Sequence, residues 1–172
     1  LDGSLQRVDV TPRLTPTTTV LQYLRSLPGR QGTKEGCAEG DCGACTVVVA
    51  DVTPDGGLRY SALDSCLLFL PMLHGKSLIT VESLSPAGTP LHPVQEAMVE
   101  TDGSQCGYCT PGFVMAMFAL YQQTDRPSRA EIDDAVRWGF MHAAGPFEVW
   151  DRLGVRQTVK RMKAAGYTPA KW

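Results

Sequence analysis

Gly32-Thr33-Lys34-Glu35-Gly36-Cys37-Ala38-Glu39-Gly40-Asp41-Cys42-Gly43-Ala44-Cys45 decides the reading of this chain. Three cysteines stand in a C-x4-C-x2-C pattern, and Cys66 follows twenty-one residues after Cys45 as a candidate fourth. Glycines at 36, 40 and 43 let the backbone wrap closely, often at positive φ, so that N–H groups turn inward. Immediately after Cys45 the β-branched run Thr46-Val47-Val48-Val49 reads as a strand.

This is the spacing by which plant-type ferredoxins hold a 2Fe-2S cluster through thiolate sulfurs. Inward N–H groups would stabilise an anionic cluster, whereas Glu35, Glu39 and Asp41 would push its reduction potential down. Three other chemistries use cysteines. A structural zinc site could draw on the C-x2-C pairs Cys42/Cys45 and Cys106/Cys109, but about sixty residues part them, against roughly 15 to 20 in zinc ribbons. A disulfide framework fits the even count of six cysteines, yet the chain is long enough to bury a core without staples and shows no secretory signal. A thioredoxin-type pair wants a helix after it, where this chain has the strand-like run.

Further signals run in order along the chain. Asp2-Gly3 is a turn signal before a strand candidate holding Leu5, Val8 and Val10. Thr17-Thr18-Thr19 offers a cap for a helix carrying Val20, Leu21, Leu24 and Leu27, stopped by Pro28-Gly29. Strands are expected at 47–52 and 58–62 around Pro54-Asp55-Gly56-Gly57, and at 77–81, giving a small mixed sheet with one helix. Residues 83–93, with prolines at 86, 90 and 93, form a boundary, followed by a helix over 93–100.

The second informative stretch is Gly103-Ser104-Gln105-Cys106-Gly107-Tyr108-Cys109-Thr110-Pro111-Gly112-Phe113. Thr110 is a cap candidate with Pro111 next, and residues 113–121 are apolar almost all round, the pattern of a buried helix. A helix N-terminus beside two thiols favours thiolate there. Ser128-Arg129-Ala130-Glu131 is a capping box for another helix.

Together these two cysteine stretches resemble the iron-sulfur part of the xanthine dehydrogenase and aldehyde oxidase family of molybdenum hydroxylases, in the form of the small subunit of the bacterial enzymes. The resemblance implies an α+β protein, a ferredoxin-like β-grasp 2Fe-2S domain at 1–84 followed by a small all-helical 2Fe-2S-binding domain at 90–134. It implies that Cys37, Cys42, Cys45 and Cys66 hold one cluster. Cys106 and Cys109 would give half the ligands of a second cluster, and Gln105 would hydrogen-bond the pterin of a molybdenum cofactor. The chain would relay electrons between that molybdenum cofactor and FAD, both carried by partner domains or subunits, and would not be catalytic alone. Leu1-Asp2 looks like the stub of a first strand, an expected N-terminal truncation.

Beyond residue 134 the likeness ends: no cysteine follows Cys109, where the family supplies a C-x-C pair. Residues 135–172, with Trp138-Gly139-Phe140 and Gly145-Pro146-Phe147-Glu148, are similar to the C-terminal helical region of 3-hydroxyacyl-CoA dehydrogenases. That predicts a chimaeric chain joined near residues 134–136 and a second cluster short of two ligands. Of His74, His92 and His142, none has the paired spacing of an iron ligand, and His142 reads as an ordinary surface or core residue. Val155, Val159 and Met162 mark a last amphipathic helix, with Gly166 as its C-cap candidate.

A net charge of -2 argues against nucleic acid or an anionic membrane as partner. Reduced cysteines without a signal segment predict the cytoplasm. Two readings compete with electron transfer: a zinc-stabilised binding module, and a non-catalytic helical interaction fragment whose tail would fold without the first hundred or so residues.

Overall fold

The β-branched run after Cys45 becomes β1 (Thr46–Val52), the central strand of a three-stranded sheet with β2 (Leu58–Asp64) and β3 (Ser77–Ile79) on either side. The structure is a computed structural model and describes residues 1–9, 11–124, 126–140 and 143–168. Alternation along β1 sends its side chains to opposite faces. Val47 and Val49 meet Val20, Leu24 and Leu78 on one face, and Val48 meets Met115, Phe118 and Ala119 on the other. Both faces are buried, which is why the run is apolar throughout.

Register places the site. Thr46 pairs with Asp64 and Val52 with Leu58, so the end of β2 returns the chain beside Cys45 and delivers Cys66 two residues later. Against β3, Val48 pairs with Ile79, and both pairings are antiparallel. The expected mixed sheet is therefore not formed among the described strands. The strand expected around Leu5 and Val8 is also absent: Leu5 is fully exposed, and without a buried face the weak alternation has nothing to pair against. Val10 lies outside the described residues. What ties this segment down is Asp2, whose N–H donates to Leu78 (2.9 Å) and whose carboxylate accepts from the Thr80 N–H (2.8 Å), the Thr80 hydroxyl (3.0 Å) and Arg30.

Helix α1 (Val20–Ser26) starts where the threonines predict, with Thr19 and Gln22 forming a reciprocal capping box. It buries Val20, Leu21, Tyr23 and Leu24. After β3 come a short 3-10 turn at Val81–Ser83 and then α2 (Pro93–Glu100), α3 (Thr110–Tyr121) and α4 (Arg129–Phe140). The cap of α3 is Cys109, not Thr110; Thr110 is already helical, and its hydroxyl meets Ser104 Oγ at 2.7 Å. Ser128 and Glu131 form the expected box, with Glu131 accepting from the Ser128 N–H at 2.7 Å and Ser128 Oγ accepting from the Glu131 N–H at 3.2 Å.

Helix α4 runs unbroken across residues 134–136, the inferred junction. Asp133, on one side of it, accepts from the Phe147 N–H at 2.7 Å and so caps α5 (Pro146–Leu153) on the other. A Cβ at Gly145 would lie 2.4 Å from Asp133 Cα, so only glycine permits this approach. Helix α6 (Val155–Ala164) ends in a Schellman arrangement, with the Gly166 N–H on Lys163 (3.1 Å) and the Tyr167 N–H on Met162 (3.0 Å). His142 lies outside the described residues. No described helix is long and apolar enough to cross a membrane.

Candidate metal centre

Between α1 and β1 the chain wraps through residues 32–45. Lys34 donates its N–H to the Ala44 carbonyl (3.1 Å), Gly32 donates to Glu82 Oε1 (2.8 Å), and Arg25 donates to the Thr33 carbonyl (3.3 Å). Within that frame Ala38 and Gly40 take left-handed backbone, φ +60° and +80°. Such backbone costs an L-residue about 1–2 kcal/mol, and here it turns three amides toward one sulfur. The N–H groups of Glu39, Asp41 and Cys42 donate to Cys37 Sγ at 3.5, 3.3 and 3.4 Å. They hold the Cys37 thiol down to about 7, the Glu39 amide contributing most.

The four cysteines come in two pairs. The Cys37 thiol interacts with Cys42, and the buried Cys45 thiol with Cys66, the latter two packed with Leu21. Burial pushes Cys45 up to about 12, with its neighbours Cys66 and Asp64 adding to the rise. Cys45 Sγ donates to Asp64 Oδ1 at 3.6 Å, and burial raises the Asp64 carboxyl above its usual range. Close packing fits the pattern: a Cβ at Gly36 would stand 2.6 Å from Cys42 Sγ. Paired thiols, three amides aimed at a sulfur and a loop with no room for a side chain at Gly36 suit a 2Fe-2S group, which takes two thiolates on each iron.

The second stretch differs. Cys106, Cys109 and Gln105 all lie exposed on the loop before α3. Among the described residues no three His, Cys, Asp or Glu side chains converge on one point at either stretch. Cys106 and Cys109 bring two thiols, half the ligands of a conventional cluster site.

Several site features escape sequence reasoning. Asp64 is invisible as a neighbour of Cys45 until the register is known. Tyr108, between the two exposed cysteines, donates its hydroxyl to the Glu35 carbonyl in the cluster loop. His92 caps α2, its Nδ1 accepting from the Val94 N–H at 3.3 Å, with its ring against Phe118 and Tyr121 at 5.2 and 5.1 Å. Proline at the first position of α2 was the one hint that residue 92 would be a cap.

Two family descriptions match in tandem, a 2Fe-2S iron-sulfur cluster binding domain over residues 3–67 and a 2Fe-2S binding domain over residues 80–141. The class is thus a two-module iron-sulfur protein, a fold suited to electron transfer. Xanthine dehydrogenase of Drosophila pseudoobscura pseudoobscura is 43% identical over 133 residues, 76% of this chain and 10% of that protein. Xanthine dehydrogenase of Blastobotrys adeninivorans is 47% identical over 122 residues, 70% of this chain and 9% of that protein. Among solved structures, an aldehyde oxidoreductase from Desulfovibrio desulfuricans is 31% identical with a TM-score of 0.66, covering 79% of this chain and 14% of the other. Quinoline 2-oxidoreductase from Pseudomonas putida is 28% identical with a TM-score of 0.62, covering 86% of each chain. The chain belongs to the xanthine dehydrogenase and aldehyde oxidase family, as its iron-sulfur part. It spans about a tenth of the length of the curated relatives it matches.

Proposed function

We propose that this chain is the iron-sulfur electron-transfer component of a xanthine dehydrogenase-like molybdenum hydroxylase, placed between a molybdenum cofactor and FAD held by partner domains or subunits. The pairing of Cys37 with Cys42 inside the glycine loop, and of Cys45 with Cys66 where the chain returns beside it after β2, carries this reading. A 2Fe-2S group bound there supplies one-electron transfer. The protein supplies the four sulfurs, the amides of Glu39, Asp41 and Cys42 that offset their charge, and burial behind Leu21 that limits water. In this reading residues 1–84 and 90–134 are the two functional units, the cytoplasm is the compartment, and no catalytic residue lies in the chain.

The second unit is incomplete. Cys106 and Cys109 bring two sulfurs, no later cysteine exists, and the tail from residue 135 is a helical packing element, docked through α4 and α5. The relay is thereby impaired on the side facing molybdenum, where exposed Gln105 would meet the pterin.

The test is iron and acid-labile sulfide per chain after anaerobic reconstitution, with the visible spectrum and low-temperature EPR of the reduced protein. About two irons and a single EPR signal are expected. About four irons with two signals would overturn the incomplete second site. Zinc without sulfide would overturn electron transfer and favour a zinc-stabilised binding module.

A further inference from the structure

The two cysteine loops are joined by a hydrogen bond between residues 73 apart in sequence: the Tyr108 hydroxyl donates to the Glu35 carbonyl. Tyr108 is 48% exposed, so its ring works as a clasp across the surface and not as part of the core. On its own side the loop is closed at the base by the 2.7 Å contact between Ser104 and Thr110 and then anchored by α3, whose Met115 and Phe118 pack under β1. On the far side Glu35 stands two residues before Cys37, at the point where the chain enters its left-handed turns.

The geometry downstream of Glu35 is delicate. The three N–H contacts to Cys37 Sγ are 3.3 to 3.5 Å long and come from a strained, largely exposed turn. Arg25 steadies the loop upstream, through the Thr33 carbonyl and, at 3.9 Å, the Glu35 carboxylate. The Glu35 backbone itself is held by Tyr108. Hydrogen bonds to a ligand sulfur favour the more negative, reduced form of an iron-sulfur centre, so their alignment is one determinant of its potential.

We propose that Tyr108 is a positioning residue for the cluster loop: by fixing the Glu35 carbonyl it keeps the Glu39, Asp41 and Cys42 amides on the Cys37 sulfur, and so ties the reduction potential of the first site to the Cys106/Cys109 loop. This rests on the reading of Cys37 as a cluster ligand. The same contact closes a route from Cys109 through the Tyr108 side chain, Glu35 and Gly36 to Cys37, covalent but for one hydrogen bond.

The experiment uses the full chain, reconstituted as holoprotein, as wild type, Tyr108→Phe, Tyr108→Leu and the exposed control Tyr167→Phe. Iron and sulfide are counted, and the midpoint potential is read by dye-mediated titration followed by EPR. Tyr108→Phe should keep the wild-type iron content yet lower the potential, cutting the ratio of reduced to oxidised protein at the wild-type midpoint by up to about tenfold, about 59 mV for one electron. Tyr108→Leu should shift it alike, and Tyr167→Phe should not shift it. Full iron with an unmoved midpoint in Tyr108→Phe overturns the role of Tyr108 alone. A shift in Tyr108→Leu without one in Tyr108→Phe also overturns it, because ring packing and not the hydroxyl would then matter. A wild type that takes up no iron overturns the ligand reading itself.

Discussion

The loop of residues 32–45 and the loop before α3 are built from the same materials, cysteine, glycine and a C-x2-C step, but the chain surrounds their sulfurs in opposite ways. In the first, Cys45 and Cys66 are 2% and 8% exposed, Cys37 receives three amides, and strand register brings the fourth thiol back to the third. In the second, Cys106 and Cys109 face solvent, and no cysteine follows them in this sequence. Spacing nominates ligands; the enclosing backbone decides which of them form a cradle. The largest test removes thiols from each. Cys66→Ala should reduce bound iron from about two per chain to none after reconstitution. The double variant Cys106→Ala/Cys109→Ala should keep its iron, and a loss equal to that of Cys66→Ala would break the comparison.

A smaller effect separates the loops by packing. Gly36→Ala places a methyl 2.6 Å from Cys42 Sγ, and overpacking of this kind costs about 1–3 kcal/mol. Thermal melting of the holoprotein should show that loss, with faster bleaching of the visible bands. Cys106→Ala, on an exposed turn, should stay within about 0.5 kcal/mol of wild type. Equal melting of the two variants would mean that the first loop is not the tight cradle described here.

What the sequence revealed divides along the same line. Local signals were legible: the Thr19 cap, the β-branched β1, the proline start of α2 and the capping box of α4 each depend on residues within a turn or two. The approach of Cys66 to Cys45 follows from the β1–β2 pairing that the strand signals around Pro54-Asp55-Gly56-Gly57 already suggested. Other contacts between distant residues were not legible. Periodicity marked α3 as buried without saying that Met115 would lie under Val48, and nothing local pairs Asp64 with Cys45 or Tyr108 with Glu35. The strand expected near Leu5 failed for a related reason, since alternation forms a strand only where a neighbour accepts it.

The smallest prediction concerns the element leading into the second loop. His92 caps α2 as a neutral ring: its Nδ1 accepts from Val94, and Gln95 Oε1 in turn accepts from the His92 N–H at 3.0 Å. Burial against Phe118 and Tyr121 lowers its pKa below the ordinary 6.5. As pH falls through that ordinary value the unfolded chain takes up the proton first, so the folded form loses stability downward from about pH 6.5. Once the folded form is protonated too, Nδ1 can no longer accept, and a lost cap is worth about 1 kcal/mol. Amide hydrogen exchange at Val94 should therefore slow between pH 7.5 and 5.5 by less than the intrinsic rate does, an excess of up to about fivefold for a cap of this size, while the Thr19-capped start of α1 shows no such excess. His92→Asn, a cap without a titrating ring, should remove the excess. If it persists in that variant, the softness of the second region at low pH does not come from its cap, and the contrast with the first loop needs another cause.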